Sequence, residues 1–311
     1  MKFKETVKSV FPFLSLLNKR IKMIVYSYEL KRDPVKLTKR IYEEYTGKKL
    51  NLENPRDLNE KIQWLKLYGD TSMWPLLADK YRVRTYVEQN GYGSMLNEIY
   101  GVWSKANEID FSKLPDQFVL KTNNGYGDVI VVRDKSKMDQ KSVRKKLRKN
   151  LSGKFGVLTA EPHYLKIEPR IICEKLLENT EPASSSIVDY KFTCTFGEIV
   201  CLLVCYDRDA VTHRGEAIIY SIDPWEPRLE YTPARLLTEN SKKVIPKPQS
   251  LDQMMEAARV LSKPFPHVRV DFYDVNGKAI FGEMTFTPSS GRKRNCTDEF
   301  LLETGDKIRL Y

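Results

Sequence analysis

The chain has 311 residues, which is longer than a typical single domain, so we expect two or three lobes around a substantial core. Hydrophobic residues make up 41% and charged residues 30%, a composition typical of a folded globular protein and not of a disordered chain. The formal net charge of +11 predicts a surface that attracts polyanions, which include nucleic acid, anionic lipid, nucleotides and acidic glycans.

Cysteine and histidine are too sparse for several kinds of site. The five cysteines contain no C-x-x-C pair, which argues against a redox or zinc motif and favours a reducing, cytosolic setting. Only three histidines are present, so a zinc site or a Ser-His-Asp triad has little to draw on. Histidine-based catalysis is therefore not expected.

Residues 1–33 form a basic N-terminal segment in which apolar runs alternate with lysine and arginine. No apolar run reaches the roughly 20 residues that a membrane-spanning helix needs, and no signal peptide is predicted. The stretch LSLLNKRIKMIVYSY has the composition of an amphipathic helix at a membrane surface. A basic helix packed on the body of the protein is an equally good interpretation.

Residues 34–112 are predicted to form a mainly helical region. Apolar residues recur three or four positions apart, as at Leu37, Ile41 and Tyr45, which is the helical period. Prolines and glycines interrupt this pattern and indicate several short helices rather than one long one.

The sequence after Pro115 predicts mostly antiparallel strands with interspersed helices, and hence an α+β fold. FVLKTNNGYGDVIVV indicates a strand, a glycine turn and a second strand, and KSVRKKLRKN indicates a cationic helix. RIICEKLL, DYKFTCTFGEIVCLLVCYDR and EAIIYSI indicate further strands, and LDQMMEAARVLSKPF indicates a helix. The strands VRVDFYDV and KAIFGEMTF are separated by Asn276-Gly277, which predicts a tight hairpin. We place two lobes at residues 113–178 and 179–311.

The most specific chemical pattern lies in this last hairpin. Arg269 and Asp271 are two residues apart on one strand and share a face, as do Glu283 and Thr285 on the returning strand. Carboxylates with phosphate oxygens are the ligands that Mg²⁺ prefers, and an arginine nearby can hold phosphate. An ordinary hairpin with charged residues in water is the alternative interpretation.

The first predicted hairpin has features of a phosphate-binding turn. Lys121 ends an apolar strand, and Gly125 and Gly127 in the turn would allow backbone N–H groups to approach phosphate closely. Glycines in such a position often serve only the turn, and the P-loop and dinucleotide fingerprints are absent from the sequence.

Two further segments carry polar groups within apolar strands. Asp189 and Lys191 share a strand face, and Arg208 follows the next strand, so these charges form either a surface stripe or the wall of a ligand cleft. The segment Glu174 to Leu177 ends a strand, where its backbone could meet a flat base, although a simple edge strand would look the same.

The order of these motifs resembles the ATP-grasp superfamily. The segments KIQWLKLYGD, LADKYRVRTYV, FVLKTNNGYGD, DYKF, VRVDFYDVNGK and FGEMTFTPSSG are similar to the teichuronopeptide-biosynthesis, or TupA-like, branch. The resemblance extends from about residue 40 to 305 and implies an ATP-grasp fold, with two α+β lobes gripping ATP after a helical N-terminal region.

The resemblance also implies roles for individual residues. Lys121 and Lys191 would contact the ATP phosphates, and Arg269 would lie near the transferred phosphate. Arg208 would face the acyl phosphate or the acceptor. Further ATP-binding residues implied in this way are Arg84, chosen over Lys80 in the same helix, the loop Gly125, Tyr126 and Gly127, and then Glu174, Lys175, Leu177 and Asp189.

The metal site implied by the resemblance consists of Asp271, Glu283 and Thr285. Members of the superfamily usually have Asn two residues after the metal-binding Glu, whereas this chain has Thr285. A hydroxyl thus stands where an amide carbonyl is expected, which leaves one or two magnesium ions as open alternatives.

The expected function is that of an ATP-dependent ligase that makes an acyl phosphate and passes the acyl group to an amine. In this branch the implied substrates are an acidic, uronic-acid-containing surface polysaccharide or lipid-linked glycan and an amino acid. The basic N-terminus would then hold the enzyme at the cytoplasmic face of an anionic membrane. The alternatives are a glycosyltransferase that uses a nucleotide sugar and a basic nucleic-acid-binding module.

Overall fold

The computed structural model describes residues 18, 20–125, 129–209, 212 and 214–310. Tyr126 and Gly127 of the predicted phosphate turn lie outside the described residues, as does most of the N-terminal segment before residue 20. The described helices are α1 (residues 20–32), α2 (Pro34–Thr46), α3 (Leu58–Tyr68), α4 (Trp74–Leu77), α5 (Val83–Gln89), α6 (Gln140–Leu151), α7 (Leu251–Ser262) and α8 (Asp298–Lys307).

The described strands form two antiparallel sheets, which confirms the predicted α+β class. The four-stranded sheet has the order β1-β4-β2-β3, and the six-stranded sheet has the order β10-β9-β5-β6-β7-β8. The strands are β1 (Ile99–Trp103), β2 (Phe118–Thr122), β3 (Ile130–Val132), β4 (Ile171–Glu174), β5 (Asp189–Thr195), β6 (Glu198–Tyr206), β7 (Glu216–Ser221), β8 (Glu226–Pro227), β9 (Val268–Val275) and β10 (Lys278–Thr285).

The N-terminal helices begin and end where the sequence supplies caps. The carboxylate of Asp33 accepts a hydrogen bond of 2.9 Å from the backbone N–H of Lys36 at the start of α2, which ends at Gly47 with φ of 74°. A reciprocal capping box of Asp57 and Glu60 starts α3. The predicted helical character of this region is therefore confirmed from residue 34 to residue 89.

Strand β1 was not predicted, because its sequence has no alternation that would indicate a strand. All five residues of Ile99–Trp103 are half-buried, and Gly101 interrupts the apolar pattern. The strand pairs with β4 and extends the four-stranded sheet by one strand. Its place is thus decided by a partner some 70 residues away and not by its own periodicity.

The main core lies on one face of the six-stranded sheet. Helix α7 packs there, with Met254 and Leu261 fully buried against alternate strand residues such as Phe192 and Phe272. The two phenylalanine rings meet edge to face with centroids 5.9 Å apart. Because strand side chains alternate, the residues between these core positions point to the opposite face of the sheet.

A smaller core fixes α1 and α2 to the body of the protein. Tyr26 and Leu30 of α1 pack with Leu37 and Ile41 of α2 and with the segment around Val157. Among the described helices, none has the length and apolar content needed to cross a membrane. Within its described part, α1 packs on the body of the protein with one face and exposes the other, so both interpretations of this segment stay open.

Candidate active site

Charged side chains cluster on the face of the six-stranded sheet opposite the main core, where β5, β9 and β10 lie side by side. Lys191 on β5 is in register with Asp271 on β9, and its Nζ lies 2.6 Å from Asp271 Oδ2. Arg269 donates from Nε and from Nη2 to the same carboxylate, both at 2.7 Å. Asp271 is only 1% exposed, so these two cations offset the cost of burying its charge.

Glu283 reaches this face because β10 contains a β-bulge. Up to Phe281 the hairpin pairs in simple antiparallel order, which would place Glu283 opposite Val270 on the core face. The bulge at Gly282 adds one residue, and Glu283 lies opposite Asp271 instead. A Cβ at Gly282 would come within 3.0 Å of the Asp271 carbonyl oxygen, so glycine suits this close approach.

Glu283 is surrounded by cations and by a hydroxyl group. Its Oε1 accepts hydrogen bonds from Arg269 Nη2 at 3.1 Å and from Thr285 Oγ1 at 3.3 Å. Its Oε2 lies 3.4 Å from Lys80 Nζ. Burial would raise the pKa of Glu283, but the charges of Lys80, Arg269 and two further lysines outweigh it and lower the pKa to about 2. Glu283 is therefore an anion at neutral pH.

The four-stranded sheet contributes the opposite side of the site. Lys80 Nζ donates a 2.7 Å hydrogen bond to the carbonyl oxygen of Gly125, so one side chain connects the glycine turn with Glu283. Lys121 on β2 lies 2.6 Å from Glu174 on β4 and is close enough to Glu283 to lower its pKa. The predicted phosphate lysine and the predicted metal carboxylate thus face each other across the two sheets.

Asp189 and Arg208 extend the cluster along the sheet. Asp189 is 1% exposed, lies 3.3 Å from Lys191 Nζ through Oδ2, and forms an ion pair with Arg208. Within the described ranges its second oxygen, Oδ1, is buried and has no hydrogen-bond partner. A buried, incompletely satisfied carboxylate is expected in a cleft and not in a stripe of solvated charges.

Lys80, and not Arg84, is the cation that this region brings to the cluster. Lys80 precedes α5, whereas Arg84 lies within it, on a helix that is anchored by its buried neighbours Val83 and Val87. In the described part of the chain Arg84 forms no ion pair with the cluster. Both residues were candidates for the phosphate-binding cation from the sequence, and only the three-dimensional arrangement distinguishes them.

The segment after β4 provides fewer free backbone groups than the prediction assumed. The N–H of Lys175 donates to the carbonyl oxygen of Glu98 at 3.0 Å, and its carbonyl oxygen accepts from Asn97 Nδ2 at 2.8 Å. These bonds extend the pairing with β1, so the backbone of Lys175 is already engaged. Leu177 is half-buried, three residues beyond the end of the strand.

A tightly held loop follows β10; its residues belong to the segment FGEMTFTPSSG, but the contacts that hold it were not predicted. The carboxylate of Glu161 accepts hydrogen bonds from Thr287 Oγ1 and, at 2.9 Å, from Ser290 Oγ. Gln63 Nε2 on α3 donates to the carbonyl oxygen of Ser290 at 2.9 Å. Ser289 and Ser290 both have positive φ, at 53° and 55°, a conformation that costs energy without glycine and is maintained by these contacts.

Tyr164 is a further residue that sequence reasoning missed. It belongs to the 3₁₀ segment Pro162–Lys166, and burial raises the pKa of its hydroxyl, as do the nearby carboxylates of Glu161 and Glu283. Tyr164 therefore remains a protonated hydrogen-bond donor at neutral pH. Its neighbours are distant in the sequence, so no local pattern marked it.

The TupA-like ATP-grasp family matches residues 60–309, which is most of the chain and includes every residue of the cluster. The chain belongs to this family. It is therefore an ATP-dependent ligase of the ATP-grasp type, and its two sheets are those of the ATP-grasp fold that the family resemblance implied.

Solved structures similar to this ATP-grasp chain include two D-alanine–D-alanine ligases. The enzyme of Bacillus anthracis is 13% identical, with 81% of this chain and 69% of that chain covered and a TM-score of 0.42. The enzyme of Helicobacter pylori is 15% identical over the same shares, with a TM-score of 0.44. The L-amino acid ligase of Bacillus licheniformis is 13% identical over 75% of this chain and 49% of its own length, with a TM-score of 0.44. No curated protein matches this sequence.

The donor set of the site fits magnesium bound together with a nucleotide. Asp271 and Glu283 present carboxylate oxygens, which are the hard ligands that Mg²⁺ accepts, and substrate phosphates commonly complete its shell. Across the described ranges there is no group of three or more histidine, cysteine, aspartate or glutamate side chains suited to a metal. The Thr285 hydroxyl is within hydrogen-bonding distance of both Arg269, at 3.2 Å, and Glu283.

Proposed function

We propose that this ATP-grasp enzyme activates a carboxylate as an acyl phosphate and joins it to the amino group of an amino acid. The observation that supports this is the convergence of four cations around two carboxylates that suit a metal: Lys80 before α5, Lys121 on the four-stranded sheet, and Lys191 and Arg269 on the six-stranded sheet. Phosphoryl transfer depends mainly on positioning and on stabilising negative charge, which this cluster provides.

The proposed first step transfers the terminal phosphoryl group of ATP to a substrate carboxylate oxygen, and ADP leaves. Lys121 and Lys80 flank the glycine turn and are assigned to the ATP phosphates, while Arg269 and Lys191 are assigned to the group in transfer. In the second step the amine attacks the acyl carbon, phosphate leaves, and the nitrogen loses a proton. Arg208, which is 36% exposed at the edge of the cluster, is assigned to the acceptor side.

Asp271 and Glu283 are assigned to magnesium. When bound, the metal would offset phosphate charge, a contribution that the protein cations alone supply only in part. The low pKa of Glu283 keeps this ligand ionised without any metal present. Glu174, Asp189 and the backbone near Leu177 are assigned to the rest of the nucleotide.

We infer that the carboxylate substrate is an acidic surface polysaccharide or a lipid-linked glycan that carries uronic acids. The support for this is the TupA-like family resemblance together with the net charge of +11, which attracts polyanions. Such a substrate implies a peripheral position at the cytoplasmic face of the membrane. We further propose that residues 113–178 and 179–311 act as the two gripping lobes, with β1 from residues 34–112 completing the first sheet.

Magnesium-dependent ATP binding, measured by isothermal titration calorimetry, tests the site. We expect the native chain to bind ATP with magnesium. We expect Glu283→Gln to weaken binding by at least about tenfold, since it removes the negative charge of a proposed metal ligand while keeping the side chain's shape. The matched control is Glu299→Gln, an exposed glutamate in the first turn of α8. Equal affinities for the two variants would contradict the metal role of Glu283.

The two proposed substrate classes are tested by measuring ADP release. Uronic acids and amino acids are supplied to the native chain singly and in pairs, and we expect release to increase only when both are present. If the chain binds MgATP but no pair of uronic acid and amino acid increases ADP release, the proposed substrate classes are wrong while the ATP site stands.

A further inference from the structure

Helix α1 exposes a row of large apolar side chains to solvent. Ile24 is 70% exposed, Tyr28 59%, Ile21 51% and Val25 42%. They are spaced three or four residues apart and therefore form one continuous stripe along the helix. Exposed apolar side chains occur singly on most proteins, but a contiguous stripe on one helix marks an interaction surface.

The opposite face of α1 holds the helix in place, so the stripe is not needed for folding. Tyr26 is 3% exposed and Leu30 9% exposed within the small core that α1 shares with α2. Lys22 Nζ lies 3.0 Å from the carboxylate of Glu44 on α2, and Tyr26 Oη donates to the same carboxylate at 3.2 Å. One side of α1 is thus fixed to α2, and the other side is exposed in the part of the chain that the structure describes.

Within residues 20–32, the exposed side carries positive charge and no acidic side chain. Arg20, Lys31 and Arg32 are exposed beside the stripe. Glu29, the one acidic residue between positions 20 and 32, is half-buried and paired with Arg40 on α2. Arg32 Nη1 donates to Tyr28 Oη at 2.7 Å, so a cation and an amphipathic ring meet at the edge of the stripe.

This surface is connected to the loop that follows the metal-binding strand. Glu44 of α2 binds Lys22 and Tyr26 of α1, and the next residue, Tyr45, has the guanidinium of Arg292 over its ring at 4.6 Å. Arg292 follows directly on the tightly held loop after β10. Contacts through α2 thus link the helix α1 to this loop.

We propose that the exposed face of α1 docks on an anionic lipid bilayer, with Ile21, Ile24, Val25 and Tyr28 in the headgroup region and the basic residues on lipid phosphates. A helix with apolar and basic residues on one face lies in the membrane surface, and anionic lipid adds attraction for each cation. The partner is a membrane and not a second copy of the chain, because two copies would bring their uncompensated positive charges together. Docking on the membrane would bring the proposed enzyme to a lipid-linked glycan substrate. The inference does not depend on the ligase chemistry.

Vesicle sedimentation of the full chain tests the proposal. We expect binding to vesicles of phosphatidylglycerol and phosphatidylcholine, and much weaker binding to phosphatidylcholine alone. Ile24→Glu removes one apolar contact and adds a repelled charge, so we expect partitioning to fall by at least about tenfold. The matched control Leu302→Glu, at a 43% exposed leucine on α8, should change partitioning by less than about twofold.

A second variant separates loss of docking from loss of folding. Replacing Lys31 and Arg32 with glutamine leaves the apolar stripe intact and should lower binding to the anionic vesicles by about fivefold per charge. Both variants should keep native MgATP affinity, and Glu283→Gln should keep native vesicle binding. The proposal would be overturned if Ile24→Glu bound vesicles as well as the native chain does. It would also be overturned if the native chain bound no vesicles and instead formed a dimer that Ile24→Glu dissociates.

Discussion

Lys66 offers a test of how the buried charges near the loop after β10 affect stability. It lies on α3 and is 6% exposed. Burial lowers the pKa of Lys66 from 10.5 to about 7, while the carboxylate of Glu161 opposes this shift and Arg292 adds to it. The folded protein therefore binds the lysine proton much less tightly than the unfolded chain does.

The sign of the effect follows from this difference. Between about pH 7 and pH 10.5 the unfolded chain binds more protons at Lys66, so stability rises with pH. Below pH 7 the full cost of burying the ammonium is present. A pKa difference of this size corresponds to roughly 3–5 kcal/mol. Lys66→Met, which keeps the length of the side chain, should recover much of that energy at low pH and none above pH 10.5.

Urea unfolding followed by tryptophan fluorescence measures the gain, since Trp64 lies on the same helix. At pH 6.5 the free energy of unfolding of Lys66→Met should exceed that of the native chain, and at pH 9 the advantage should be smaller by about 3 kcal/mol. Lys39→Met, at an exposed position on α2, is the control and should show no such change with pH. A gain that is the same at both pH values would refute the reasoning.

Three further predictions concern the site and its support. Lys80→Met should weaken MgATP binding by at least about tenfold in calorimetry, while Arg84→Met stays within about twofold; the reverse order would favour Arg84 as the phosphate cation. Glu161→Gln should lower the free energy of unfolding in urea by about 1–3 kcal/mol because its hydroxyl partners lose an ionised acceptor, and an unchanged midpoint would contradict this. Gly291→Ala should cost more than Gly47→Ala in thermal unfolding, since both have positive φ but a Cβ at Gly291 would clash with a glutamine 2.6 Å away.

The regular elements were largely predictable because their patterns are local. The hairpin β5–β6 and the hairpin β9–β10 show alternating apolar residues, and the Asn276-Gly277 turn has the positive φ values, 54° and 75°, that its sequence predicts. Strand β1 was missed because it has no alternation of its own. Its conformation depends on β4, which is distant along the chain.

For the site, strand periodicity predicted which side chains of one strand lie on the same face, and nothing more. Residues two apart on β5 and β9, such as Asp189 with Lys191 and Arg269 with Asp271, do share a face. Contacts between distant segments had no sequence signal. Glu161 and its partner Thr287 are 126 residues apart in sequence, and although Thr287 belongs to the segment FGEMTFTPSSG, nothing in that segment indicates Glu161 as its partner.

The bulge in β10 did leave a trace in the sequence. The core-facing residues of this strand are Ala279 and Phe281 before the bulge and Met284 and Phe286 after it. The interval of three between Phe281 and Met284 breaks the period of two, and Gly282 lies inside it. An extra residue could therefore have been inferred from the apolar spacing alone.

The same bulge makes the length of this strand as important as its composition. Deleting one residue near Gly282 would restore simple pairing and rotate everything that follows by half a turn about the strand axis. Glu283 and Thr285 would enter the core, and Met284 and Phe286 would point to the face that carries the charged cluster. A single-codon deletion here would thus remove the charged cluster and the core packing together, so this strand can change by substitution but not by insertion or loss.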